Sequence, residues 1–571
     1  MAIVLAALAV WMAYEMYARA QAELLWGHRT LVLLLAGWGL LVLFFYPKNQ
    51  LLTWATLSGA LLGLGIPGWL PLPFLMFIAL VPLLFVEYAL RDRADKPATF
   101  QVFRYSFHTF VVWNILSTAW IANSSIAAGL FTIIANSLLM TVPFVLAHHT
   151  RRVMERLGYA PLVAYWLVFE YLHYNWELHF PWLTLGNSFA QLPAFVQWYE
   201  YTGVLGGSLW VLLANVLFFE WLQVAHTRRQ KLLRLSAWIA LPIVFSLYQY
   251  FTWQEAEAGI EVVVVQPNYE PHYEESKVEE AEKLAKCLRL AEVQVTETTD
   301  YLLLPEATFG YAEVRQMEVY PTFQALREWM QRYPRLHIVS GANVYRELAP
   351  DEPATKVTRA RPGSSFRYEA YNAAVQLRPN SRQVQLHKKS KLVPGPENFP
   401  FRRALFFLTP LLERFGGTTA GLGIEEEPVI FEGETARIAP LICYESVFGA
   451  YVSQFVRGGA QAIFIMTNDG WWDRSPGHRQ HLYFASLRAI ESRRSIARAA
   501  NTGVSAFINS RGDVLQSTQY GEAAAIKARI SLHRAPTFYL QWGDMIGRLS
   551  LFVAAIFLLN TLVRNILQKE G

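Results

Sequence analysis

The 571-residue sequence has little charge for its length. Charged residues make up 17% of the chain and hydrophobic residues 53%, whereas soluble globular proteins carry about 25% charge. This composition predicts a membrane protein. The net charge is only +5 and the sequence lacks a Lys/Arg-rich run, so we expect no nucleic acid among its partners.

Cysteine is nearly absent, since Cys287 and Cys443 are the only two. This excludes a disulfide framework and a cysteine-based metal cage, but it leaves room for thiol chemistry at one position. Cys287 falls on a helical pattern that is typical of a core residue. His478 and His481 could share a helix face, but a clear third ligand is missing. We therefore expect neither a metal nor a cofactor.

Apolar segments long enough to cross a bilayer, about 20 residues each, recur along the chain. The first, which loosely resembles a signal peptide, lacks a basic n-region, so we interpret it as a retained helix. The predicted spans are roughly 1–18, 29–46, 50–66, 70–90, 105–123, 126–147, 160–178, 205–225, 235–253 and 542–564.

Basic residues in the short loops predict the orientation. The clusters are Arg91, Arg93, Lys96 and Arg104; Arg151, Arg152 and Arg156; Arg228, Arg229, Lys231 and Arg234; and Arg564 and Lys569. With these spans all four clusters fall on one face, which the positive-inside rule makes cytoplasmic. The long segment before the last span then lies outside the cytoplasm.

That segment, 258–535, has a different pattern. Short apolar runs rich in Val and Ile, such as Ile260–Gln266 and Ile438–Ile442, alternate with amphipathic helical patterns such as Leu284, Leu288, Ala291 and Val295. This alternation predicts a layered α/β domain. We therefore divide the chain into a transmembrane helical domain at 1–254, an α/β domain at 258–535 and a C-terminal transmembrane helix at 542–564. The stretch Pro350–Ser365 is typical of an exposed loop.

Reactive side chains follow three of the predicted strands, at the strand ends where α/β folds place active sites. They are Glu306 in LLLPEATFG; Lys388, Lys389, Lys391 and Glu397 in HKKSKLVPGPENFPF; and Cys443 in ARIAPLICYES. A helix N-terminus and a nearby cation can lower a thiol pKa below about 8.5, so we expect a lowered pKa for Cys443. A carboxylate, an ammonium group and a thiol suffice for acyl transfer through a thioester. Taken singly, each has an ordinary explanation: a packed cysteine, a Pro-Glu turn, a solvated lysine face.

Together these motifs resemble the nitrilase superfamily, and within it the membrane-embedded branch of apolipoprotein N-acyltransferases. LLPEAT is similar to its strand-Pro-Glu motif, KSKLVP to its Lys-x-His-Leu-Val-Pro and LICYE to its Ile-Cys-Tyr-Glu. Similar segments are TNDGWW, HLYFASLRAIE, RAANTG and, in the membrane part, FPWLTLGNS. Coverage runs from about residue 50 to the end, so the first two helices look like an addition.

The sequence departs from the family pattern at three places. Lys391 stands where the family has His, Pro396 where it has Gly, and Trp472-Asp473 where it has Phe-Gly. The first two flank the lysine loop and put the lipid or peptide preference in question. Counting back from Leu392 assigns the family's lysine to Lys389, with Lys388 and Lys391 as alternatives.

The resemblance implies an α-β-β-α sandwich and transfer of an acyl chain from a phospholipid to the N-terminal amine of diacylglyceryl-cysteine lipoproteins. It implies a catalytic triad of Glu306, Lys389 and Cys443, with Glu397, Tyr444 and Glu445 in support. Trp182 and Trp471 are implied substrate contacts.

The same resemblance implies a monomer in the bacterial inner membrane, with the catalytic domain facing the periplasm. Two alternatives stay open. One is a membrane-tethered amidase or nitrilase-type hydrolase, and the other is a non-enzymatic receptor or transporter subunit with a vestigial domain.

Overall fold

The computed structural model describes residues 1–91, 97–223, 227–361, 363–398, 400–401 and 421–570. It divides into two compact units. The helical unit comprises Met1–Phe251, Trp472–Tyr483 and Asp544–Gly571, and the α/β unit comprises Thr252–Trp471 and Phe484–Gly543. The domain boundaries given above stay a prediction.

The helical unit is built from apolar helices joined by short connections. They are α1 (Ala2–Gln21), α2 (Arg29–Phe45), α3 (Gln50–Gly65), α4 (Val81–Arg91), α5 (Pro97–Thr118), α6 (Ile121–Ser124), α7 (Ile126–Val153), α8 (Ala160–Asn175), α9 (Tyr199–Thr202), α10 (Val204–Gln223), α11 (Arg228–Thr252) and the C-terminal helix Met545–Glu570. A 3₁₀ turn, Pro73–Phe77, precedes α4.

Six helices of the described chain are long and apolar enough to cross a membrane: Ala2–Gln21, Pro73–Arg91, Ile126–Val153, Val204–Gln223, Arg228–Thr252 and Met545–Leu567. The other four predicted spans coincide with helices that do not meet this criterion. Helices α2, α3 and α8 have 17, 16 and 16 residues, and α5 carries polar residues within its length. The predicted orientation stays a prediction, and two of its loop charges, Arg93 and Lys96, lie outside the described residues.

The α/β unit alternates strands with helices. Its strands are β1 (Gly259–Gln266), β2 (Tyr301–Leu303), β3 (Phe309–Glu313), β4 (His337–Glu347), β5 (Arg359–Ala360), β6 (Arg367–Arg378), β7 (Ser381–Lys388), β8 (Phe431–Glu432), β9 (Arg437–Ile442), β10 (Ala462–Thr467), β11 (Ile496–Ala500), β12 (Ala506–Ile508), β13 (Val514–Ser517) and β14 (Ala524–Ser531). Its helices are α12 (Glu280–Glu292), α13 (Pro321–Met330), α14 (Gly449–Arg457), α15 (Pro476–Ser492) and α16 (Phe538–Trp542). Helix α15 begins in the segment assigned to the helical unit.

The described strands form two sheets. The first has the order β14-β1-β2-β4-β6-β5, with β3 beside β4 and β7 beside β6, and the second has the order β13-β12-β11-β10-β9-β8. Strands β1, β2 and β4 are parallel, with Val262 opposite Tyr301 and Tyr301 opposite His337. Strands β9, β10 and β11 are also parallel. The carboxyl ends of parallel strands meet at one edge of a sheet, so residues that follow β2 or β9 lie at such an edge.

Successive side chains of β1 point to opposite faces of the first sheet and so contribute to two separate hydrophobic cores. Val262 and Val264 pack with Ile438 and Phe464 between the two sheets, whereas Val263 and Val265 pack against α12 and α13 on the outer face of the first sheet. Helix α14 packs against β9 of the second sheet. Because each sheet is covered on one face by the other sheet and on the other by helices, the layers are α-β-β-α, which confirms the predicted fold class.

Every predicted strand run overlaps a strand, but the bounds differ. The predicted runs Tyr301–Leu304 and Val504–Ile508 extend beyond β2 and β12, whereas the predicted run Ala373–Leu377 covers only part of β6. Strand β6 begins at Arg367, ahead of the apolar run at Ala373, because its antiparallel pairing with β4 continues from Leu377 to Tyr368. Helix α12 ends at Glu292, before Val295. The predicted loop Pro350–Ser365 contains the short strand β5, which pairs with the start of β6.

Candidate active site

Glu306 lies on a tight turn that follows β2. The Leu304 N–H donates to the Val339 carbonyl (2.9 Å), and the Gly341 N–H donates to the Pro305 carbonyl (3.0 Å). A Cβ on Gly341 would lie 2.5 Å from the Glu306 Cα, so β4 needs glycine where this turn crosses it. The next residue, Ala307, has a φ of 49°, a left-handed conformation that is uncommon outside glycine. The turn thus holds the Glu306 side chain in one position.

The Glu306 carboxylate accepts hydrogen bonds at both oxygens. Its Oε1 accepts from Asn372 Nδ2 (2.7 Å) and from the Lys389 ammonium (3.1 Å), and its Oε2 accepts from the backbone N–H of Asn468 (3.1 Å). These donors come from β6, from the residue after β7 and from the residue after β10. The carboxylate is therefore fixed by three separate strands.

Lys389 is buried and lies between two carboxylates. Its Nζ donates to Glu397 Oε1 (2.8 Å) as well as to Glu306, and 1% of its side chain is exposed. Burial alone would lower the pKa of Lys389, but Glu306, Glu397 and Cys443 together raise it well above its usual value. The group is an ammonium ion at neutral pH.

The other two lysines of the loop point elsewhere. Lys388 Nζ lies 4.5 Å from the centre of the Tyr371 ring, and Lys391 Nζ lies 5.3 Å from that of Phe448. Burial lowers the pKa of Lys391. Of the three candidates, Lys389 is the one whose ammonium contacts Glu306.

Cys443 is the first residue after β9 and is 8% exposed. Its φ of 50° turns the chain sharply out of the strand. Burial raises the pKa of the Cys443 thiol well above its ordinary value, with Glu306 and Asp469 acting in the same direction and Lys389 and the Thr467 hydroxyl opposing them. The expected lowering of this pKa was therefore wrong. The chain after Cys443 is a short 3₁₀ turn, Cys443–Val447, and α14 starts only at Gly449, so no regular helix begins at the thiol, and burial outweighs the nearby cation.

Glu445 joins the lysine loop to the nucleophile turn. Its Oε1 accepts from the Ser390 N–H (2.7 Å) and the Tyr451 hydroxyl (3.1 Å), and its Oε2 accepts from the Ile442 N–H (2.8 Å). Burial alone would raise the pKa of Glu445, but His387 and these hydrogen bonds lower it. The neighbouring Tyr444 packs its ring edge-on against Phe448, with centroids 5.1 Å apart.

Four residues of this site were missed in the sequence. Asn372 on β6 donates to Glu306 and, at 3.3 Å, to Glu397. The Thr467 hydroxyl donates to Asp469 Oδ1 (2.8 Å), and Asp469 Oδ2 is paired with Arg498 at 2.6 Å. Thr467 and Asp469 lie in the TNDGWW segment and Arg498 lies in the RAANTG segment. A sequence motif alone does not show which of their atoms are in contact. Asn372 lies in the sequence YNAAV, where no feature indicated a role in the site.

The two tryptophans implied as substrate contacts lie in different units. Trp471, in the α/β unit, is 45% exposed and packs against His272 with ring centroids 5.2 Å apart. Trp182, in the helical unit, is 1% exposed and donates from Nε1 to Gln480 Oε1 (2.7 Å). Its ring packs against Trp120 and Trp472. A role for either one in binding substrate stays a prediction.

Among the described residues, no group of three or more His, Cys, Asp or Glu side chains is arranged to hold a metal ion. The expectation that the protein needs neither a metal nor a cofactor stays a prediction.

Comparison with known proteins agrees with this architecture. Residues 261–537 match the family model described as carbon-nitrogen hydrolase, and residues 58–217 match the one described as the apolipoprotein N-acyltransferase N-terminal domain. A CN-hydrolase superfamily protein of known structure from Xanthomonas campestris has 17% identity and a TM-score of 0.34, over 48% of this chain and 91% of its own. The chain combines an α/β domain of the carbon-nitrogen hydrolase type with a helical unit whose helices are long and apolar enough to cross a membrane. These two features define its class, a membrane enzyme of the nitrilase superfamily.

Relatives of full length narrow the class. The apolipoprotein N-acyltransferase of Chlorobaculum tepidum is 30% identical over 526 residues, which cover 89% of this chain and 96% of the relative. The protein of the same name from Geobacter metallireducens is 26% identical over 525 residues, covering 87% and 92%. The chain belongs to the apolipoprotein N-acyltransferase family.

Proposed function

We propose that the protein transfers an acyl chain from a phospholipid to the N-terminal amine of a diacylglyceryl-cysteine lipoprotein, through a thioester on Cys443. The observation that carries the proposal is the buried Lys389 ammonium, which contacts Glu306 at 3.1 Å and interacts electrostatically with Cys443. The proposal is supported by a carboxylate, a cation and a thiol in one buried site, in a chain whose family is named for the N-acylation of apolipoproteins.

The first half-reaction acylates the thiol. Because the thiol pKa is raised, the sulfur is protonated at rest, and Glu306 takes its proton as the sulfur attacks the ester carbonyl. The new C–S bond forms, the C–O bond to glycerol breaks, and Glu306 passes the proton to the departing oxygen. A lysophospholipid leaves.

Lys389 stabilises the negative charge that develops on the carbonyl oxygen. A fixed cation in a buried site stabilises the charge of the transition state far more than the same cation does in water. Glu397 holds the ammonium from the other side at 2.8 Å, so the group needs no reorganisation as charge builds. A backbone N–H after Cys443 is a second candidate donor.

The second half-reaction consumes the thioester. The lipoprotein amine attacks the acyl carbon, and Glu306 takes a proton from the attacking nitrogen. The C–N bond forms, the C–S bond breaks, and Glu306 passes that proton to the sulfur. The result is an amide-linked acyl chain and a free thiol, ready for the next phospholipid. Glu445 fixes the position of the lysine loop relative to the turn that carries Cys443, because it accepts hydrogen bonds from the Ser390 and Ile442 N–H groups.

The membrane-spanning helices have a physical reason to be part of such an enzyme. Burying each CH₂ is worth about 0.8 kcal/mol, so a chain of about 16 carbons resists leaving the bilayer by roughly 12 kcal/mol. An enzyme anchored in the bilayer avoids extracting either substrate. We place it in the bacterial inner membrane as a monomer, with the α/β domain on the periplasmic side, where the positive-inside rule directs it.

Mass spectrometry of Cys443 tests the proposal. Purified protein incubated with phospholipid is expected to gain the mass of one acyl group on Cys443, and a diacylated lipopeptide is then expected to remove it as a triacylated product. Cys443→Ala is the matched control and is expected to do neither. If Cys443→Ala retained full cellular function, the protein would be a receptor or transporter subunit instead.

The alternative of a membrane-tethered hydrolase uses the same three residues with water as the acceptor. Free fatty acid formed without triacylated lipopeptide would favour it. Replacing Trp182 by Ala tests the implied substrate contact, and normal turnover of that variant would count against it.

A further inference from the structure

A second carboxylate lies beside the candidate site, outside the predicted triad. Glu275 opens the 3₁₀ turn Glu275–Lys277 after β1, and 17% of its side chain is exposed. Its Oε2 accepts from Asn468 Nδ2 (3.0 Å) and Asn501 Nδ2 (3.3 Å). Its Oε1 faces the Lys283 ammonium at 3.5 Å, longer than the roughly 2.7–2.9 Å of a strong charge-assisted hydrogen bond. The ion pair between Glu275 Oε1 and the Lys283 ammonium is therefore weak.

Asn468 connects this carboxylate to Glu306. Its backbone N–H donates to Glu306 Oε2 (3.1 Å) and its side-chain amide donates to Glu275 Oε2 (3.0 Å). Burial raises the pKa of Glu275, and Glu306 acts in the same direction, while Lys283 and Asn468 oppose it. The charged groups that face Glu275 are thus Lys283 from α12 and Glu306 from the turn after β2.

The proposed function leaves one proton without an acceptor. A free α-amino group has a pKa of about 7.7–8.0, so near neutral pH the lipoprotein N-terminus arrives mostly as an ammonium ion. Conversion of an ammonium and a thioester into an amide and a thiol releases one proton overall. The ammonium loses two protons, one of which returns to the sulfur through Glu306. The other must leave before nitrogen can attack.

Glu306 is poorly placed to take both protons. Its oxygens already accept from Lys389, Asn372 and Asn468, and it returns a proton to the sulfur within the same step. Glu275 is partly exposed, which opens a route for a proton to solvent, and its second oxygen faces a cation already.

We propose that Glu275 binds the ammonium form of the acceptor's N-terminus and accepts the proton that this group must lose before it attacks the thioester. This rests on the proposed function and makes the acceptor site selective for a primary ammonium. The incoming ammonium takes the place of the Lys283 ammonium at Oε1, and Asn468 and Asn501 keep the carboxylate turned toward it. The proton then passes to water, while Glu306 remains with the sulfur.

The two half-reactions, measured separately on the full chain in detergent, test the proposal. In Glu275→Gln, acyl-adduct formation on Cys443 from phospholipid is expected to stay within about twofold of wild type, whereas transfer to a diacylated lipopeptide near pH 7 is expected to slow by about 10²-fold, the scale of a lost general base. Near pH 9, where the α-amine is mostly uncharged, the difference is expected to shrink severalfold. Glu282→Gln, which removes an exposed carboxylate from α12, is the control and is expected to leave both rates and the pH profile unchanged.

Several outcomes would overturn the inference. A normal rate of acyl transfer by Glu275→Gln near pH 7 would overturn it. Equal slowing of both half-reactions, or a defect that does not change with pH, would also overturn it, because either result indicates that Glu275 only positions Glu306 through Asn468. Glu275→Asp, which keeps the charge, is expected to recover part of the transfer rate, and no recovery would also contradict the proposal. Failure of the proposed function itself looks different, because wild type would then form no acyl adduct or no amide.

Discussion

The Ser390 N–H donates a hydrogen bond to Glu445 Oε1 at 2.7 Å, which ties the residue after Lys389 to the residue two positions after Cys443. The other oxygen of Glu445 accepts from the Ile442 N–H at 2.8 Å, the residue before the nucleophile. One buried carboxylate therefore sets the spacing of the cation and the thiol. Its role is that of a positioning residue.

Glu445→Gln is expected to destabilise the protein by about 2–3 kcal/mol, because one of the two backbone N–H groups then faces an amide that also donates. The pKa of Glu445 is lowered in the folded protein. Its stabilising contribution is therefore complete above the ordinary glutamate value of about 4.3 and is lost as the pH falls through the lowered folded value. Thermal unfolding of both proteins from neutral to acidic pH should show a gap in Tm that narrows in acid. Glu427→Gln, at an exposed position, is the control, and a pH-independent gap would contradict the assignment.

Lys389→Met is expected to reduce the rate of acyl-adduct formation by about 10²–10³-fold, the scale of a lost oxyanion donor. It also leaves the buried Glu306 and the partly buried Glu397 without their cation, and breaking a buried ion pair costs about 3–5 kcal/mol. Lys388→Met and Lys391→Met are the controls, because neither ammonium contacts Glu306, and both should keep activity within a few-fold. Addition of Glu397→Gln to Lys389→Met should restore part of the Tm but no activity. Recovery of activity in that double variant would exclude Lys389 as the oxyanion donor.

Glu306→Gln should change thiol reactivity and acyl transfer in opposite directions. Glu306 raises the pKa of Cys443, so removal of its charge favours the thiolate. In a Cys287→Ala background, iodoacetamide labelling of Cys443 near pH 8 is expected to become severalfold faster, while acyl-adduct formation falls by about 10²–10⁴-fold for want of a base. Glu328→Gln, on the exposed face of α13, should alter neither rate. Slower labelling would mean that Glu306 also deprotonates the thiol for alkylation.

The strand-end positions of Glu306 and Cys443 could be predicted because short apolar runs mark strands and reactive residues follow them directly. The lysine needed the motif KSKLVP, since three lysines share one loop and only their contacts distinguish them. The contacts of Asn372 could not be predicted, because they depend on β6 pairing with β4 so that Asn372 lies opposite Asn343, a register set by long-range pairing.

The thiol pKa shows a second limit. A cation near Cys443 could be inferred from the motif order, but the depth of burial could not, and burial is the larger effect on this pKa. Glu275 was missed for a related reason. It lies in a polar stretch, HYEESKVEE, in which neighbouring glutamates look alike, and its contact with Asn468 spans 193 positions of sequence.

Gly341→Ala is expected to destabilise the α/β unit by about 1–3 kcal/mol through overpacking, because the new Cβ would meet backbone atoms of Pro305, Glu306 and Ala307 at 2.5–2.6 Å. Backbone atoms cannot rotate away, so the turn that carries Glu306 must shift and activity should fall with Tm. Gly37→Ala is the control, since its Cβ would meet nothing within 4 Å and alanine favours a helix. Unchanged Tm and activity in Gly341→Ala would show that the turn is less tightly constrained than these distances imply.

Gln480 organises two tryptophans of the helical unit. Its Oε1 accepts from Trp120 Nε1 (3.0 Å) and Trp182 Nε1 (2.7 Å), and its Nε2 donates to the Ser117 carbonyl (3.1 Å). Gln480→Leu removes this acceptor from the buried Trp182 N–H, which costs about 1–3 kcal/mol, whereas the Trp120 N–H keeps the Ser117 carbonyl as an acceptor at 2.9 Å. We expect a lower Tm and a red-shifted tryptophan emission as the indoles reorient toward water. Arg479→Gln, at the exposed neighbouring position, is the control. An unaltered Tm and spectrum in Gln480→Leu would mean that ring packing, rather than this amide, holds Trp182 in place.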